Sequence, residues 1–510
     1  MRSRLPFSVL TSRLARVVYA SVILTSVSLV SIFHARPRVW AAGEVPVAFW
    51  AWRTQSPEQT DIQAAVEKAK ARVLFLRAGQ IDYQDGKLRR IRPLTGSLPK
   101  GIKLHLVYNT TPAVLEQLES IDLQTLATEI ARAYREDSER AIRDGADVSG
   151  LQLDIDFPTR LLTRYEKTVS TIRPHLQSDT ELSITGLPTW MDSPALNGVL
   201  KNVDFWVPQF YGGEIPTRSD QMIPITSPES ITYFVNKARQ LDKPFYAGLA
   251  AYSVALLYNA SGSLISLRGD MNPAVIVSDP NLELIHQRSF LSAERRYAFR
   301  AKADGVTDGL NMRAGDVLVI DLPNSETLRI ASRITRSLAG RKLLGICVFR
   351  LPVSDDPTTL TVEQVSDALN DQNSNPAIYV RLKRQRHFNN TYVFVLECKN
   401  SGTASPLMRS LKLDLNVVPG TFREMRPQSG VSIQPLCAGG FANDPQPCSE
   451  QRADLLRVEI DFLPPGQTLS AKLLLNRDLP QTTGVSVAYK TETEQPYSAR
   501  HEIPIEAGVK

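Results

Sequence analysis

The sequence predicts an α/β fold, a (β/α)8 TIM barrel followed by a C-terminal all-β sandwich domain. Eight short apolar segments recur over the first 370 of the 510 residues, and most precede a stretch with helical periodicity. No glycine-rich phosphate loop follows an early strand, which disfavours a doubly wound sheet. After residue 376 the pattern changes to short alternating strands separated by Pro, Gly and Asn, which is typical of a sandwich.

Residues 1–43 are predicted to be a signal peptide or an N-terminal membrane anchor. They contain six arginines and no acidic residue, with an apolar run at 17–33 and small residues at Ala41 and Ala42. The run is at the lower limit for spanning a bilayer, so cleavage and retention in the inner membrane are the two alternatives. In both cases we expect an exported protein, periplasmic or secreted, with no other contact with the membrane.

The net charge of +6 comes from this leader, because its six arginines equal the excess of 59 basic over 53 acidic residues. The neutral remainder lacks the basic face that nucleic acids require, so no nucleic-acid partner is expected. The six histidines are scattered, and the sequence predicts neither a metal site nor a cofactor. Cys437 and Cys448 flank a loop with Gly and Pro and are a disulfide candidate, the alternative being two reduced thiols.

The predicted barrel occupies residues 44–370. Its strands are expected at 45–52, 71–78, 102–109, 150–157, 181–187, 203–211, 243–252 and 343–351, with helices at 56–70, 122–144, 159–177 and 228–241. An insertion at about 253–325 separates the last two strands. Because it leaves the carboxyl end of a barrel strand, it should lie over the active-site face, either as a lid or substrate wall or as a peripheral subdomain. The sandwich is predicted at 377–510, in a packing or a glycan-binding role.

The fourth predicted strand carries the candidate chemistry. Apolar and polar residues alternate along Gly150–Phe157, so Gln152, Asp154 and Asp156 should point into the barrel. Buried carboxylates are costly unless they are paired, and neighbouring carboxylates raise each other's proton affinity. The pair therefore predicts a proton donor that works near neutral pH. The alternative is a structural cluster of hydrogen bonds that holds the barrel closed.

This strand resembles that of the family 18 glycoside hydrolases, the chitinase-like barrels, which carry D-G-x-D-x-D-x-E there. Aligned on Gly150, Asp154 matches the third aspartate and Asp156 the catalytic glutamate, while the first two aspartates are replaced. Aligned instead on the two aspartates, the chain has Pro158 where the acid should be, which predicts an inactive site. We prefer the first alignment, because the glycine marks the entrance of the strand and the proline its exit.

Two further strands, Val203–Tyr211 and Pro244–Leu249, extend the resemblance to the family's sixth and seventh strands, and the eighth strand departs from it. Val203–Tyr211 is similar to the family's sixth strand, where Tyr211 matches the tyrosine that supports the N-acetyl group and Gln209 replaces a methionine. Phe349–Arg350 stands where the family has a tryptophan floor. A closer resemblance, carried by GLQLDIDF, SITGLPTWM and FRLP, is to the bacterial domain-of-unknown-function family 3142, which has no established activity.

The leader predicts an exported protein, and we expect a monomer. The resemblance implies that it acts on a polysaccharide or oligosaccharide containing N-acetylhexosamine. Residues 244–267 contain no Asp or Glu, so a glycosidase would use the sugar's own acetamide as nucleophile. Asp156 would be the acid, Asp154 would orient the acetamide and Tyr211 would hydrogen-bond it. The alternative is an inactive glycan-binding or scaffolding protein of the cell envelope. The predicted substrate-binding residues are Gln152, Gln209, Trp52 (or Trp50), Tyr108, Trp190, Tyr252 and Arg350.

Overall fold

The computed structural model describes residues 40–53, 56–221, 224–289, 295–322, 324–354, 356–388, 391–438 and 445–507. The predicted leader lies outside these ranges except for its last four residues. Within them, none of the helices combines the length and the apolar character needed to cross a bilayer.

The first eight strands build most of a parallel sheet. They are β1 (Val47–Ala51), β2 (Ala71–Gln84), β3 (Lys87–Ile91), β4 (Lys103–Thr110), β5 (Asp147–Asp154), β6 (Glu181–Gly186), β7 (Phe205–Pro208) and β8 (Phe245–Ala250). All but β3 pair in parallel with their neighbours. The exception, β3, pairs antiparallel with Gln80–Gln84, so β2 continues beyond the barrel as a two-stranded ribbon beside its carboxyl end.

Helices connect the strands and cover the outside of the barrel. They are α1 (Gln59–Lys68), α2 (Pro112–Glu116), α3 (Leu123–Arg143), α4 (Leu162–Ile172), α5 (Leu196–Lys201), α6 (Pro228–Gln240), α7 (Pro273–Ser278, in the insertion), α8 (Ser325–Leu338) and α9 (Val362–Leu369). Their starts follow from local chemistry. The Asp122 carboxylate accepts bonds from the free backbone N–H groups of Gln124 and Thr125, at 3.2 and 3.1 Å, and so caps α3.

The insertion forms a five-stranded antiparallel sheet and a small hairpin. Its strands are β9 (Val254–Tyr258), β10 (Leu264–Arg268), β11 (Leu282–Ser289), β12 (Arg295–Ala301), β13 (Gly305–Thr307), β14 (Leu310–Met312) and β15 (Val317–Leu322), and the sheet order is β10-β9-β15-β12-β11. Backbone bonds from Leu264 to Thr217 (2.9 Å) and from Ser253 to Thr358 (2.7 Å) tie it to the loops that follow β7 and the last barrel strand. It therefore flanks the carboxyl end of the barrel.

One further strand closes the barrel. β16 (Leu343–Phe349) lies between β1 and β8 and pairs in parallel with both, and β1 also pairs with β2. Successive side chains of a strand point to opposite faces, so the barrel strands contribute to two apolar layers, one inside the barrel and one beneath the helices. Those pointing inward include Trp50, Phe75 and Phe205, whereas Leu151 and Leu153 pack outward in the layer beneath the helices. The predicted eight-stranded barrel is confirmed.

The C-terminal domain is all β. Its strands are β17 (Ile378–Phe388), β18 (Thr391–Asn400), β19 (Leu411–Asn416), β20 (Phe422–Pro427), β21 (Val431–Cys437), β22 (Gln446–Pro447), β23 (Leu455–Ile460), β24 (Thr468–Leu475), β25 (Thr482–Lys490) and β26 (Pro496–Ala507). They form one curled ten-stranded sheet, in which β26 joins two halves by pairing with β17 on one side and β25 on the other. Both halves contribute to one apolar core, including Leu396 and Leu413.

Candidate active site

The two aspartates of the fourth barrel strand lie at the carboxyl end of the barrel. Asp154 is the last residue of β5, is half-buried, and accepts a 2.7 Å hydrogen bond from the Thr185 hydroxyl on β6. Asp156 lies two residues beyond it and is exposed. The apolar residues between them, Leu153 and Ile155, are fully buried in the outer layer, so the alternation places both carboxylates on the inward side.

The carboxylates share a site that favours a bound proton. Burial raises the pKa of Asp154 to about 7, and the nearby charge of Asp156 adds to the rise, while the bond from Thr185 opposes it. Asp156 touches water, yet the surrounding protein displaces enough solvent to raise its pKa as well. Because the two groups titrate together, the pair retains a proton into the neutral range.

Aromatic rings line the opposite side of this end of the barrel. Tyr211 stacks on Phe349 with ring centroids 6.0 Å apart, and Tyr252 meets both rings edge-on at 6.1 and 5.0 Å. The ring centroid of Trp52, just after the first strand, lies 6.3 Å from that of Phe349. Burial raises the pKa of Tyr211 well above its ordinary value, and the fields of Tyr252, Asp154 and Asp156 contribute. The Tyr211 hydroxyl therefore stays protonated close to the aspartates.

Three polar residues that the sequence analysis missed complete this end of the barrel. Arg77 on β2, Asn109 on β4 and Thr185 on β6 have the same inward parity as the aspartates. Asn109 pairs in register with Asp154, so their side chains are neighbours. The alternation of polar and apolar residues along β2, β4 and β6 is the sequence signal that indicates all three.

We call this set of inward-facing residues the barrel mouth. It comprises Trp52, Arg77, Asn109, Asp154, Asp156, Thr185, Gln209, Tyr211, Tyr252 and Phe349. Gln209, a predicted contact, is half-buried just beyond β7 and bridges to Gly248. The mouth thus has a polar side on β2 to β6 and an aromatic side on the remaining strands.

Gln152 lies below the mouth and not in it. Its side chain is 0% exposed, its carbonyl accepts a 2.7 Å bond from the Trp50 indole N–H, and its amide donates to the Ser183 hydroxyl at 3.4 Å. The prediction that it binds substrate is therefore wrong, because one strand level below Asp154 the interior is packed. Trp50, the alternative to Trp52, is buried there for the same reason.

Tyr108 and Trp190 also lie away from the mouth, which corrects two further predictions. Tyr108 has outward parity on β4, is fully buried, and donates a 2.5 Å bond to the Asp137 carboxylate on α3. Trp190 is fully buried, and its indole N–H donates to the carbonyl oxygen of Phe157 at 2.9 Å. Both rings pack between the barrel and its helices.

Arg350 is not available as a substrate clamp. Its guanidinium donates two bonds to the Asp356 carboxylate, at 3.1 and 2.8 Å, and a third to Thr358. Arg53 also contacts Asp356 at 2.6 Å. Arg350 is buried, and this network satisfies it, so the residue supports the loop that follows β16.

Outside the barrel, the structure joins Cys437 and Cys448 in a disulfide with Cα atoms 5.8 Å apart. A cavity of about 700 Å³ lies between the barrel, the insertion and the C-terminal domain, lined among others by Asp61, Asn272 and Pro465. It lies apart from the aspartate pair. We place the candidate active site at the mouth because the perturbed carboxylates are there.

A search of curated proteins finds no match. Solved structures of similar fold include a chitinase from Chromobacterium violaceum (10% identity, 64% of this chain and 99% of that one, TM-score 0.43). A spore cortex-lytic enzyme from Bacillus megaterium (13%, 64% and 74%, 0.43) and a chitinase-like agglutinin from Robinia pseudoacacia (13%, 63% and 99%, 0.40) are also similar.

The family model described as domain of unknown function (DUF3142) matches residues 112–289. This stretch includes β5, with its two aspartates, and runs through the eighth strand into the insertion. The resemblance to the domain-of-unknown-function family 3142 is therefore confirmed over residues 112–289.

Proposed function

We propose that the barrel mouth binds and hydrolyses a glycan containing N-acetylhexosamine. The main support for this proposal is the aspartate pair, whose raised pKa values keep a proton at the mouth, opposite a cluster of aromatic rings. Aromatic faces stack on the apolar faces of sugar rings, and carboxyl groups and amides bind hydroxyls. The polar and aromatic sides of the mouth suit the two kinds of surface on a sugar.

In this proposal Asp156 is the proton donor, because it is the exposed member of the pair. Both aspartates extend from one strand, and no carboxylate follows on residues 244–267, so a second carboxylate on the far side of the bond is not supplied there. The acetamide oxygen of the sugar would attack the anomeric carbon as the glycosidic C–O bond breaks. The Asp156 proton passes to the leaving oxygen, and a water molecule then opens the cyclic intermediate and returns a proton to Asp156.

Asp154 and Tyr211 would hold the acetamide during this step. The bond from Thr185 orients the Asp154 carboxyl group, which can accept the acetamide N–H. The Tyr211 hydroxyl, with its raised pKa, can donate to the acetamide. In this assignment the proton retained by the pair resides on Asp156, and Asp154 carries the negative charge.

The pH dependence of hydrolysis tests the proposal. The donor must be protonated, and the pKa of Asp154 in the coupled pair is about 7, so kcat/KM should fall as the pH rises through about 7. Release of reducing ends from an N-acetylglucosamine oligomer between pH 4 and 9 measures it. A rate that stays constant or increases across pH 7 would contradict this assignment.

A second candidate function is glycan binding without hydrolysis. An aspartate is one methylene shorter than the glutamate it matches, and a small displacement of the acid can cost about a hundredfold in rate. Asp156 also lies beyond the hydrogen-bonded part of β5. Calorimetry would then show saturable binding of the oligomer with no reducing ends released, and Asp156→Asn would leave the affinity nearly unchanged.

We further propose that the protein works outside the cytoplasm. The disulfide between Cys437 and Cys448 supports this location, because disulfides persist in oxidising compartments. The predicted leader supports it independently. Fusion of residues 1–60 to a reporter that is active only after export tests it, and a cytoplasmic reporter would contradict it.

A further inference from the structure

A cation at the mouth has no role in the mechanism proposed above. Arg77 is the last inward-facing residue of β2 before the strand shifts register, and it is half-buried. Its guanidinium carbon lies 5.1 Å from the centre of the Trp52 ring. Arg77 and Trp52 therefore form one surface at the mouth, beside the β2–β3 ribbon.

Arg77 has an unusual charge environment for a partly buried arginine. Within the described ranges no carboxylate forms an ion pair with it, and its Nε is buried without a hydrogen-bond partner. Burial and the like charge of Arg92 lower its pKa. Arg90, on the same ribbon, is already paired with Asp137 and Glu136.

Two other buried arginines show what a structural arginine looks like in this protein. Arg350 binds Asp356 and Arg296 binds Asp321, each through two guanidinium nitrogens and each to a buried carboxylate. Arg336 on α8 is buried without an ion pair among the described residues, but in these two cases the fold supplies a counter-ion. Arg77 lacks one, although packing on Trp52 orders its side chain.

A neighbouring amide is equally unsatisfied. Asn109 is 8% exposed, has inward parity on the adjacent strand β4, and its side-chain oxygen has no hydrogen-bond partner. Because the amide can present either its oxygen or its N–H groups, it can serve a bound ligand. Asn109 lies on β4, the strand between that of Arg77 and that of Asp154, and pairs in register with Asp154.

We infer that the glycan bound at the mouth carries a carboxylate, which Arg77 binds beside Trp52. This inference rests on the proposed function, because it assumes that the mouth holds a glycan. The planar guanidinium fork matches a carboxylate in two parallel bonds, and the Trp52 ring offers a stacking face to the same sugar. Two kinds of sugar residue carry such a carboxylate: a uronic acid, and an amino sugar with a lactyl ether.

The test compares acidic glycans with their carboxyl-reduced, neutral counterparts by calorimetry on the full chain. One pair alternates N-acetylglucosamine with glucuronic acid, and the other alternates it with N-acetylmuramic acid. We expect at least one acidic glycan to bind about tenfold or more tightly than its carboxyl-reduced form. The pair that shows this preference identifies which carboxylate-bearing sugar the mouth binds. Arg77→Met should abolish the preference, while Arg313→Met, which removes an exposed arginine on the inserted subdomain, should keep it.

The outcomes separate this inference from the proposed function. Equal affinity for acidic and neutral glycans in the unmodified protein, or a preference that survives Arg77→Met, overturns the inference and leaves the proposed function standing. Failure to bind any of the four glycans overturns both. Should Arg77→Met unfold the protein, the salt dependence of the unmodified protein gives the second readout. The acidic preference must then weaken with ionic strength, and a salt-independent preference overturns the inference.

Discussion

Three polar side chains that follow one another along the fourth barrel strand differ in how deeply they are buried, and their surroundings differ accordingly. Gln152 is enclosed and uses its amide to hold Trp50 and Ser183, so it serves the barrel interior. Asp154, one level higher, keeps one partner on β6 and partial contact with water. Asp156 faces the solvent. The same inward parity thus produces a structural group and, in the proposed function, an orienting group and a proton donor, because the surroundings change over four residues.

The Asp356 carboxylate is a stability determinant at the residue scale. Its side chain is 0% exposed and it neutralises Arg350, which is also buried. Asp356→Asn should lower the free energy of unfolding by about 3 kcal/mol, because it leaves a buried cation without a counter-ion. Urea unfolding measures the loss. Asp220→Asn, which removes an exposed partner of Arg218, is the matched control and should have no measurable effect.

At the scale of the element, β5 depends on a glycine at its entrance. A Cβ atom at Gly150 would lie 2.5 Å from both the Glu181 carbonyl oxygen and the His105 Nδ1. Gly150→Ala should therefore destabilise the protein by about 1–3 kcal/mol, measured by thermal unfolding. Gly269→Ala is the control, since its added Cβ would come no closer than 3.5 Å to any atom, at the Tyr252 ring. Equal melting temperatures for the two variants would contradict the steric reason.

The eight barrel strands could be predicted because apolar runs and their helix-like successors repeat locally in the sequence. The direction in which each side chain points, into the barrel or towards the helices, was harder to predict. On β4 the sequence suggested Tyr108, yet parity places Asn109 at the mouth and turns the tyrosine towards Asp137 on α3. A shift of one residue exchanges the two faces of a strand, so an aromatic residue at a strand end is a weaker signal than parity. The prediction that Arg350 binds substrate failed for another reason. Its partner Asp356 lies outside the strand pattern, so the sequence did not reveal the ion pair.

At the scale of the whole molecule, the insertion joins the other two parts of the chain. Its apolar core includes Leu407 and Met408, which belong to the C-terminal domain, with Phe462 packed against it. On the barrel side it bonds to the loops after β7 and β16. No sequence pattern predicted this contact, because Leu407 and Met408 stand in a connecting loop without periodicity. The domain limits at 370 and 377 stay predictions.

The shared core predicts how the C-terminal domain is held. Leu407→Asp would bury a charge in the insertion core, so it should loosen the domain and raise the rate of proteolysis in the 371–376 linker at least tenfold. Leu267→Asp places the same charge on an exposed position of β10 and should leave the rate unchanged. Limited proteolysis followed by mass spectrometry measures both. Equal cleavage of the two variants would show that Leu407 does not hold the domains together.

The most direct test of the account is the hydrolysis of an N-acetylglucosamine oligomer by the full chain and by its Asp156→Asn variant. We expect reducing ends from the unmodified protein and at least a hundredfold fewer from Asp156→Asn, because the amide cannot donate the proton that the leaving oxygen needs. Calorimetry on the variant should still show binding, which separates loss of chemistry from loss of the fold. Hydrolysis at equal rates by the two proteins would contradict the central claim that this aspartate carries the reaction.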